Sequence, residues 1–296
     1  MTCDCCGSTS WVPLFSQNGV RLGTCPECDL HYVDAMPSTD ARMTEMEEGH
    51  YAGSLEVLDA DRQFEVERKL ADSRFSVFVD LAAQYGARGH WLDIGCGAGI
   101  LLSQAAAHGF TGEGIELNHD RRAIAAKVTG MPMHGLPVEE LKFPDASFDV
   151  VSMINVFSHL TSPTATLTEI KRILKPGGLL VMATGEITAG AQRSHMLNWN
   201  LGDHLYFLGD RTIDRYAEKV GYQMVHHKRA WLPDEMFSRE WLAAKGRSRK
   251  KNAVKTAVRV TPGGLKAFRA VMLRVQKDSA AHSGVFVLRP TTPQAR

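Results

Sequence analysis

An α/β fold, with a doubly wound and mostly parallel sheet preceded by a small zinc ribbon, is what this chain of 296 residues predicts. Three observations carry that reading. Strand-like and helix-like runs alternate from Trp91 to Tyr222, the order that produces parallel strands with helical crossovers. One apolar run, His90–Ile94, leads into the glycine-rich turn Gly95-Cys96-Gly97-Ala98-Gly99 and then into a helix. Finally, Cys3-x2-Cys6 and Cys25-x2-Cys28 form two matching pairs with eighteen residues between them.

The composition permits such a core, with 44% apolar and 23% charged residues, as in ordinary globular proteins. No basic stretch followed by an apolar run opens the chain, and no run of about eighteen apolar residues occurs in it. A cytoplasmic location is therefore expected. The net charge is only +1, but it is unevenly spread. Residues 241–277 hold eleven lysines and arginines and no acid, so the rest of the chain carries an acidic excess. A basic segment on an acidic body suits an anionic partner, although a solvated helical face explains it equally well.

The cysteine spacing fits a tetrahedral four-thiolate site held by Cys3, Cys6, Cys25 and Cys28, each pair bending round the metal. Gly7 follows the first pair, where the turn favours a positive φ. Trp11 to Phe15, then Val20 and Leu22, supply short strands between the pairs. A closed four-cysteine site has no open coordination position, so its zinc is structural rather than catalytic. Cys5 is spare, and a disulfide reading is disfavoured in a reducing compartment.

Around the glycines the pattern is D-x-G-x-G-x-G, starting at Asp93. A dinucleotide fingerprint would need glycine at position 100, where Ile100 stands. A second strand ends at Glu116, 21 positions after Gly95. An acid at that point accepts hydrogen bonds from both hydroxyls of a ribose, at the sheet edge where open α/β folds bind ligands.

At this point the chain resembles a known family. Leu92 to Gly99 is similar to motif I of the class I S-adenosylmethionine-dependent methyltransferases. Phe143 to Val151, Asn155 to Leu160 and Leu174 to Val181 resemble the family's approach to strand four, the segment after it and the turn into strand five. The resemblance covers about 71 to 222. Two further segments resemble a sub-type with a zinc-knuckle lead-in: Cys25 to Pro37 with His50-Tyr51, and Asn198 to Leu208 with Thr212 and Gly221-Tyr222.

The resemblance implies a Rossmann-like sheet of seven strands, with Tyr222–Trp231 and Ser283–Leu288 pairing antiparallel as the last two. It implies S-adenosylmethionine as cofactor and a cofactor-binding set of Asp93, Gly95, Cys96, Gly97, Gly99, Glu116, Leu117, Leu136 and Asn155. Leu136 stands where many relatives carry an acid beside the adenine. The implied organisation is a ribbon over 1–36, a linker and N-terminal helix over 37–70, a core over 71–231, a basic helical insertion over 232–282, and a last strand and tail over 283–296.

Methyl transfer from a sulfonium is an in-line displacement, so the protein mostly aligns the reactants and excludes water. A hydroxyl acceptor also loses a proton, commonly to histidine at neutral pH. His204, in a polar-aromatic loop with Tyr206, ranks first as a candidate base, and His159 ranks second. Each also has a structural reading as a hydrogen-bonded histidine. The strand-four exit, Met153-Ile154-Asn155-Val156, lacks the Asn-Pro-Pro-Tyr type motif of adenine-N6 methyltransferases.

Three functions follow. The first is O- or C-methylation of a small-molecule, sugar or lipid-linked acceptor. The second is RNA methylation, with ribbon and basic insertion gripping phosphates; the ribbon's single basic residue between Gly7 and Thr24, Arg21, argues against it. The third is a non-catalytic cofactor-binding module, disfavoured by the intact glycines and Glu116. Peripheral membrane contact through the amphipathic insertion is a further expectation.

Overall fold

A computed structural model describes residues 2–48, 75–189, 201–229 and 281–291. The basic segment 241–277 and most of the linker expected over 37–70 lie outside the described residues. Among those described, no helix is long and apolar enough to cross a membrane.

The main sheet has seven strands in the order β10-β11-β8-β7-β4-β5-β6. They are β4 (His90–Ile94), β5 (Thr111–Ile115), β6 (Met133–His134), β7 (Phe148–Ile154), β8 (Leu174–Ile187), β10 (Tyr222–Arg229) and β11 (Ala281–Pro290). Strands β6, β5, β4, β7 and β8 are parallel, whereas β11 runs antiparallel to both β8 and β10. This is the Rossmann-like, mostly parallel sheet with an antiparallel last strand that the sequence implied.

The central strands are buried on both faces, which is why Val150, Val151, Leu180, Val181 and Met182 form apolar runs without alternation. Trp91 is fully buried, and its indole N–H donates to Ser152 Oγ at 2.7 Å. Burial of a side chain this large stabilises by about 3 kcal/mol, and the hydrogen bond removes the cost of burying its polar atom.

The α-helices among the described residues are α1 (Thr39–Glu48), α2 (75–84), α3 (Ile100–Ala107), α4 (His119–Thr129), α5 (Pro163–Ile173) and α6 (Thr212–Val220). Their ends follow local chemistry. The Asn118 side chain accepts from Arg121 N to cap α4, and Gly130 ends it at φ 66. Gly221 ends α6 in the same left-handed conformation.

The N-terminal strands β1 (Val12–Gln17), β2 (Val20–Thr24) and β3 (His31–Val33) form a second sheet. Its fourth strand, β9 (Tyr206–Phe207), comes from the segment between β8 and α6. Ribbon and core therefore share one hydrophobic cluster, in which Cys3, Cys25 and Cys28 join Phe157, Phe207 and Tyr216. A Cβ at Gly209 would stand 2.1 Å from the Asp29 carbonyl oxygen, so only glycine permits this approach. Residue 36 is a boundary in sequence pattern, but packing continues across it.

Candidate active site

The three glycines after β4 all sit in the left-handed region, at φ 70, 55 and 78 for Gly95, Gly97 and Gly99. A Cβ at Gly95 would meet Val156 at 2.4 Å, and one at Gly99 would meet Thr129 at 2.7 Å. At Gly97 the nearest atom is 3.6 Å away, on Arg121. The loop is tied to the end of β5: Gly95 N and Cys96 N donate to Ile115 O at 2.8 and 3.0 Å. Gly97 N donates to Glu116 Oε2 at 2.9 Å, and Asn118 N donates to Glu116 Oε1 at 3.0 Å. Each Glu116 oxygen thus accepts one backbone N–H and keeps a lone pair for a ligand.

Asp93 lies at the end of β4, buried. Ser152 Oγ donates to its Oδ1 at 2.5 Å, completing a relay from Trp91 across two strands. Burial, with Glu116 nearby, pushes the Asp93 carboxyl up to about 7 despite that bond. Asn155, where β7 ends, is held at φ 58, uncommon for a residue with a side chain.

These groups open on one cleft of about 500 Å³. Asp93, Gly95, Cys96, Gly97, Glu116, Leu117 and Asn155 all line it. Two members of the expected set differ. Gly99 turns away to pack on Ala125 and Thr129 of α4. Leu136 is 46% exposed and off the wall, and its neighbours Pro137, Val138 and Glu139 line the cleft in its place.

The far wall was not legible in the sequence. Thr39, Arg42, Met43 and Met46 of α1 face the cleft at spacings of three and four, as one side of a helix does. Asn118 Nδ2 holds the other end of α1 through Glu47 O at 3.1 Å. Arg42 is buried at 4% exposure. Its Nη1 pairs with Glu45 at 2.5 Å, and its Nη2 donates to His159 Nδ1 at 2.9 Å and to Asp203 O.

His159 Nδ1 also lies 2.9 Å from the Asp203 carbonyl oxygen, so this nitrogen faces a donor and an acceptor at the same distance. Burial, His204 and Arg42 together push the His159 pKa down to about 4. His159 lines the cleft as a neutral imidazole. His204 does not line the cleft; its ring packs on His159 at 4.7 Å between centroids. Tyr206 is buried in β9, with its hydroxyl 3.4 Å from Thr161 O. Burial pushes that phenol up, so it stays protonated behind the wall. The loop that looked substrate-facing in sequence is drawn away because β9 pairs with β3.

The sign of the His159 shift gives a pH prediction. The folded chain keeps His159 neutral down to about pH 4, whereas an unfolded histidine protonates near pH 6.5. Its contribution is full above pH 6.5 and is lost as pH falls toward 4, by up to about 3 kcal/mol. Asp93 works oppositely: with its carboxyl raised to about 7, its contribution is present below pH 3.8 and is lost as pH rises through 7. Comparison with His159→Asn, which keeps an acceptor for Arg42, isolates the histidine. Between pH 7 and pH 4.5 the wild type should lose about 2 kcal/mol more unfolding free energy in urea than the variant. Equal losses would contradict the assignment.

The cysteines form the second centre. Cys3, Cys6, Cys25 and Cys28 bring four sulfurs within 4.8 Å of one another. Cys3 and Cys28 sulfurs are 3.6 Å apart, and Cys6 and Cys25 sulfurs 3.5 Å. A zinc tetrahedron with bonds of about 2.3 Å has edges of about 3.8 Å, so the four thiols fit the ion. The two knuckles repeat one turn. Gly7 N donates to Cys3 O and Asp29 N to Cys25 O, both at 2.9 Å, with φ 79 and 61. Cys5 is buried beside this group, its sulfur 3.9 Å from Thr212 O.

With this geometry in view, comparison with known proteins settles the family. A family model described as "Methyltransferase domain" matches residues 62–227, more than half of the chain. The chain belongs to the methyltransferase-domain family. One curated relative, a ubiquinone biosynthesis O-methyltransferase of Maricaulis maris (strain MCS10), is 32% identical over 106 residues, covering 34% of this chain and 42% of the relative. Another of the same name, from Agrobacterium fabrum, is 28% identical over 149 residues, covering 46% and 60%. The chain thus spans about half the length of the curated relatives it matches.

Among solved structures, Haemonchus contortus phosphoethanolamine N-methyltransferase 2 in complex with S-adenosyl-L-methionine superposes with a TM-score of 0.61 at 16% identity, covering 95% of this chain and 71% of that one. Geranyl diphosphate C-methyltransferase from Streptomyces coelicolor A3(2) gives 0.54 at 15% identity, covering 73% and 79%. These likenesses concern the fold.

The cleft fits the family's cofactor. A Cβ at Gly97 would meet nothing closer than Arg121 at 3.6 Å, Glu116 offers two carboxylate lone pairs, and the Asp93 carboxyl lines the same cleft.

Proposed function

We propose that this chain methylates a hydroxyl of a small, largely apolar acceptor, with S-adenosylmethionine held in the cleft and a structural zinc in the knuckle pair. The observation that carries the reading is the glycine loop tied to Glu116 in a cleft whose other wall sets apolar side chains beside Thr39, Arg42 and His159. Beyond the loop and Glu116, Met43, Met46, Phe75 and Leu160 line that wall. Glu116 would take the ribose hydroxyls and Asp93 the cofactor's ammonium. The cofactor supplies an activated methyl group when bound, and the chain's residues position the acceptor and keep water out. His159, a neutral imidazole on the cleft wall, would hydrogen-bond the acceptor oxygen, which suits a readily ionised hydroxyl such as a phenol. The O-methyltransferase names of the curated relatives support hydroxyl over carbon.

The test is transfer of isotopically labelled methyl from S-adenosylmethionine to a panel of phenols, catechols, sugars and bulk RNA, read by mass spectrometry. Label on a phenolic oxygen is the expected result. Label on RNA alone would overturn the small-molecule reading, and cofactor binding without transfer to any class would move the chain to the binding modules.

A further inference from the structure

Asp4 sits inside the first knuckle, between Cys3 and Cys5, yet its bonds all leave the knuckle. Its Oδ1 accepts from Thr164 N at 2.9 Å, from Thr164 Oγ1 at 2.7 Å and from the Tyr216 hydroxyl at 2.8 Å. Its Oδ2 accepts from Ser162 Oγ at 3.2 Å, and its backbone oxygen accepts from Lys219 Nζ at 2.6 Å. Thr164 lies in the first turn of α5. That helix lacks a cap from its own Ser162 side chain. Asp4, 160 residues away in sequence, therefore supplies the cap, with a negative charge where the helix dipole favours one.

The same turn of α5 builds the cleft. Ser162, Ala165 and Thr166 line it, and the Thr166 hydroxyl donates to Glu139, itself on the wall beside Val138. A path of direct contacts thus runs from the cysteine cluster through Asp4 to the cleft.

We infer that Asp4 is a positioning residue through which metal occupancy of the knuckles sets the shape of the cofactor cleft. The inference rests on the zinc reading above. With the metal bound, Cys3 and Cys6 fix the short turn that carries Asp4, and the carboxylate holds the first turn of α5 in place. Without it the turn loosens, the cap is lost, and the wall at Ser162 to Thr166 relaxes.

The test compares the wild type with Asp4→Ala and Asp4→Asn. Metal content is measured by elemental analysis, amide hydrogen exchange region by region, and S-adenosylmethionine affinity by calorimetry. Asp4→Ala should keep its metal and still exchange tenfold or more faster at Thr164 to Thr166, with α3 unchanged and cofactor affinity several-fold weaker. Asp4→Asn, which retains an acceptor oxygen, should restore most of both. Chelation of the wild type should reproduce the local change, and chelation of Asp4→Ala should add little to it. Wild-type exchange in metal-loaded Asp4→Ala would overturn the inference, as would a chelation effect equally large in both proteins. If Asp4→Ala does not fold, Thr164→Val breaks the side-chain contact with the knuckle untouched and must loosen the same amides. A folded wild type without metal would defeat the zinc reading itself, a result that elemental analysis separates from failure of the coupling.

Discussion

Glu116→Ala should weaken S-adenosylmethionine binding by about 3 kcal/mol, roughly a hundredfold. Two losses combine in that figure. The carboxylate no longer offers its free lone pairs to ribose hydroxyls, and hydrogen bonds to a charged group are worth about 1.5–3 kcal/mol. The glycine loop also loses its tether, because Gly97 N and Asn118 N both donate to this side chain. Glu116→Gln keeps the size but turns an amide N–H toward one of those donors, so it should recover only part of the loss. Calorimetry with a melting curve for each variant separates affinity from folding. Cofactor affinity within threefold of wild type in a folded Glu116→Ala would contradict the placement of the ribose.

The second large effect concerns the metal. Cys25→Ser should lower the melting temperature by about 10 °C and release the bound zinc, and a strong chelator should do the same to the wild type. The size follows from where the cluster sits. Cys25 and Cys28 are fully buried in the hydrophobic cluster shared with Phe157, Phe207 and Tyr216. Cys28 O accepts from Thr212 Oγ1 at 2.9 Å, and Arg211 pairs with Asp29 through two bonds of 2.8 Å. Loosening the knuckles therefore disturbs the start of α6 as well as the ribbon. A loss of about 4 kcal/mol is in the range for removal of a structural metal, and each kcal/mol moves the transition of a chain this size by about 2–4 °C. Thermal melts on metal-loaded and chelated protein check it. A folded protein that holds no zinc, or a melting temperature indifferent to Cys25→Ser, would remove the metal from the account.

These predictions show which parts of the molecule were legible in the sequence. The glycine loop, Asp93 and Glu116 were legible because their geometry is local: a strand, a tight turn and a strand end at fixed spacings. The cysteine pairs were legible for the same reason. The sheet order followed from alternation and from the family resemblance.

Contacts between distant segments were not legible. Nothing near Arg42 announces that its guanidinium meets His159 and Asp203, more than a hundred residues away. Nothing in Cys3-Asp4-Cys5 announces a cap for α5. His204 and Tyr206 failed as cleft residues for a related reason. Their loop is polar and aromatic, as a substrate loop often is, but a two-residue strand, β9, pairs with β3 and turns it toward the ribbon. His159, ranked second as a base, does line the cleft, held there by an arginine on another element that the sequence did not announce.

The measurement that tests the central claim most directly is a calorimetric titration of the metal-loaded protein with S-adenosylmethionine, S-adenosylhomocysteine and NAD. Ile100 in place of the third dinucleotide glycine, the Glu116 lone pairs and the Asp93 carboxyl predict saturable one-to-one binding of both S-adenosyl compounds and none of NAD. Tight binding of NAD, or no binding of any of the three by a folded protein, would contradict it.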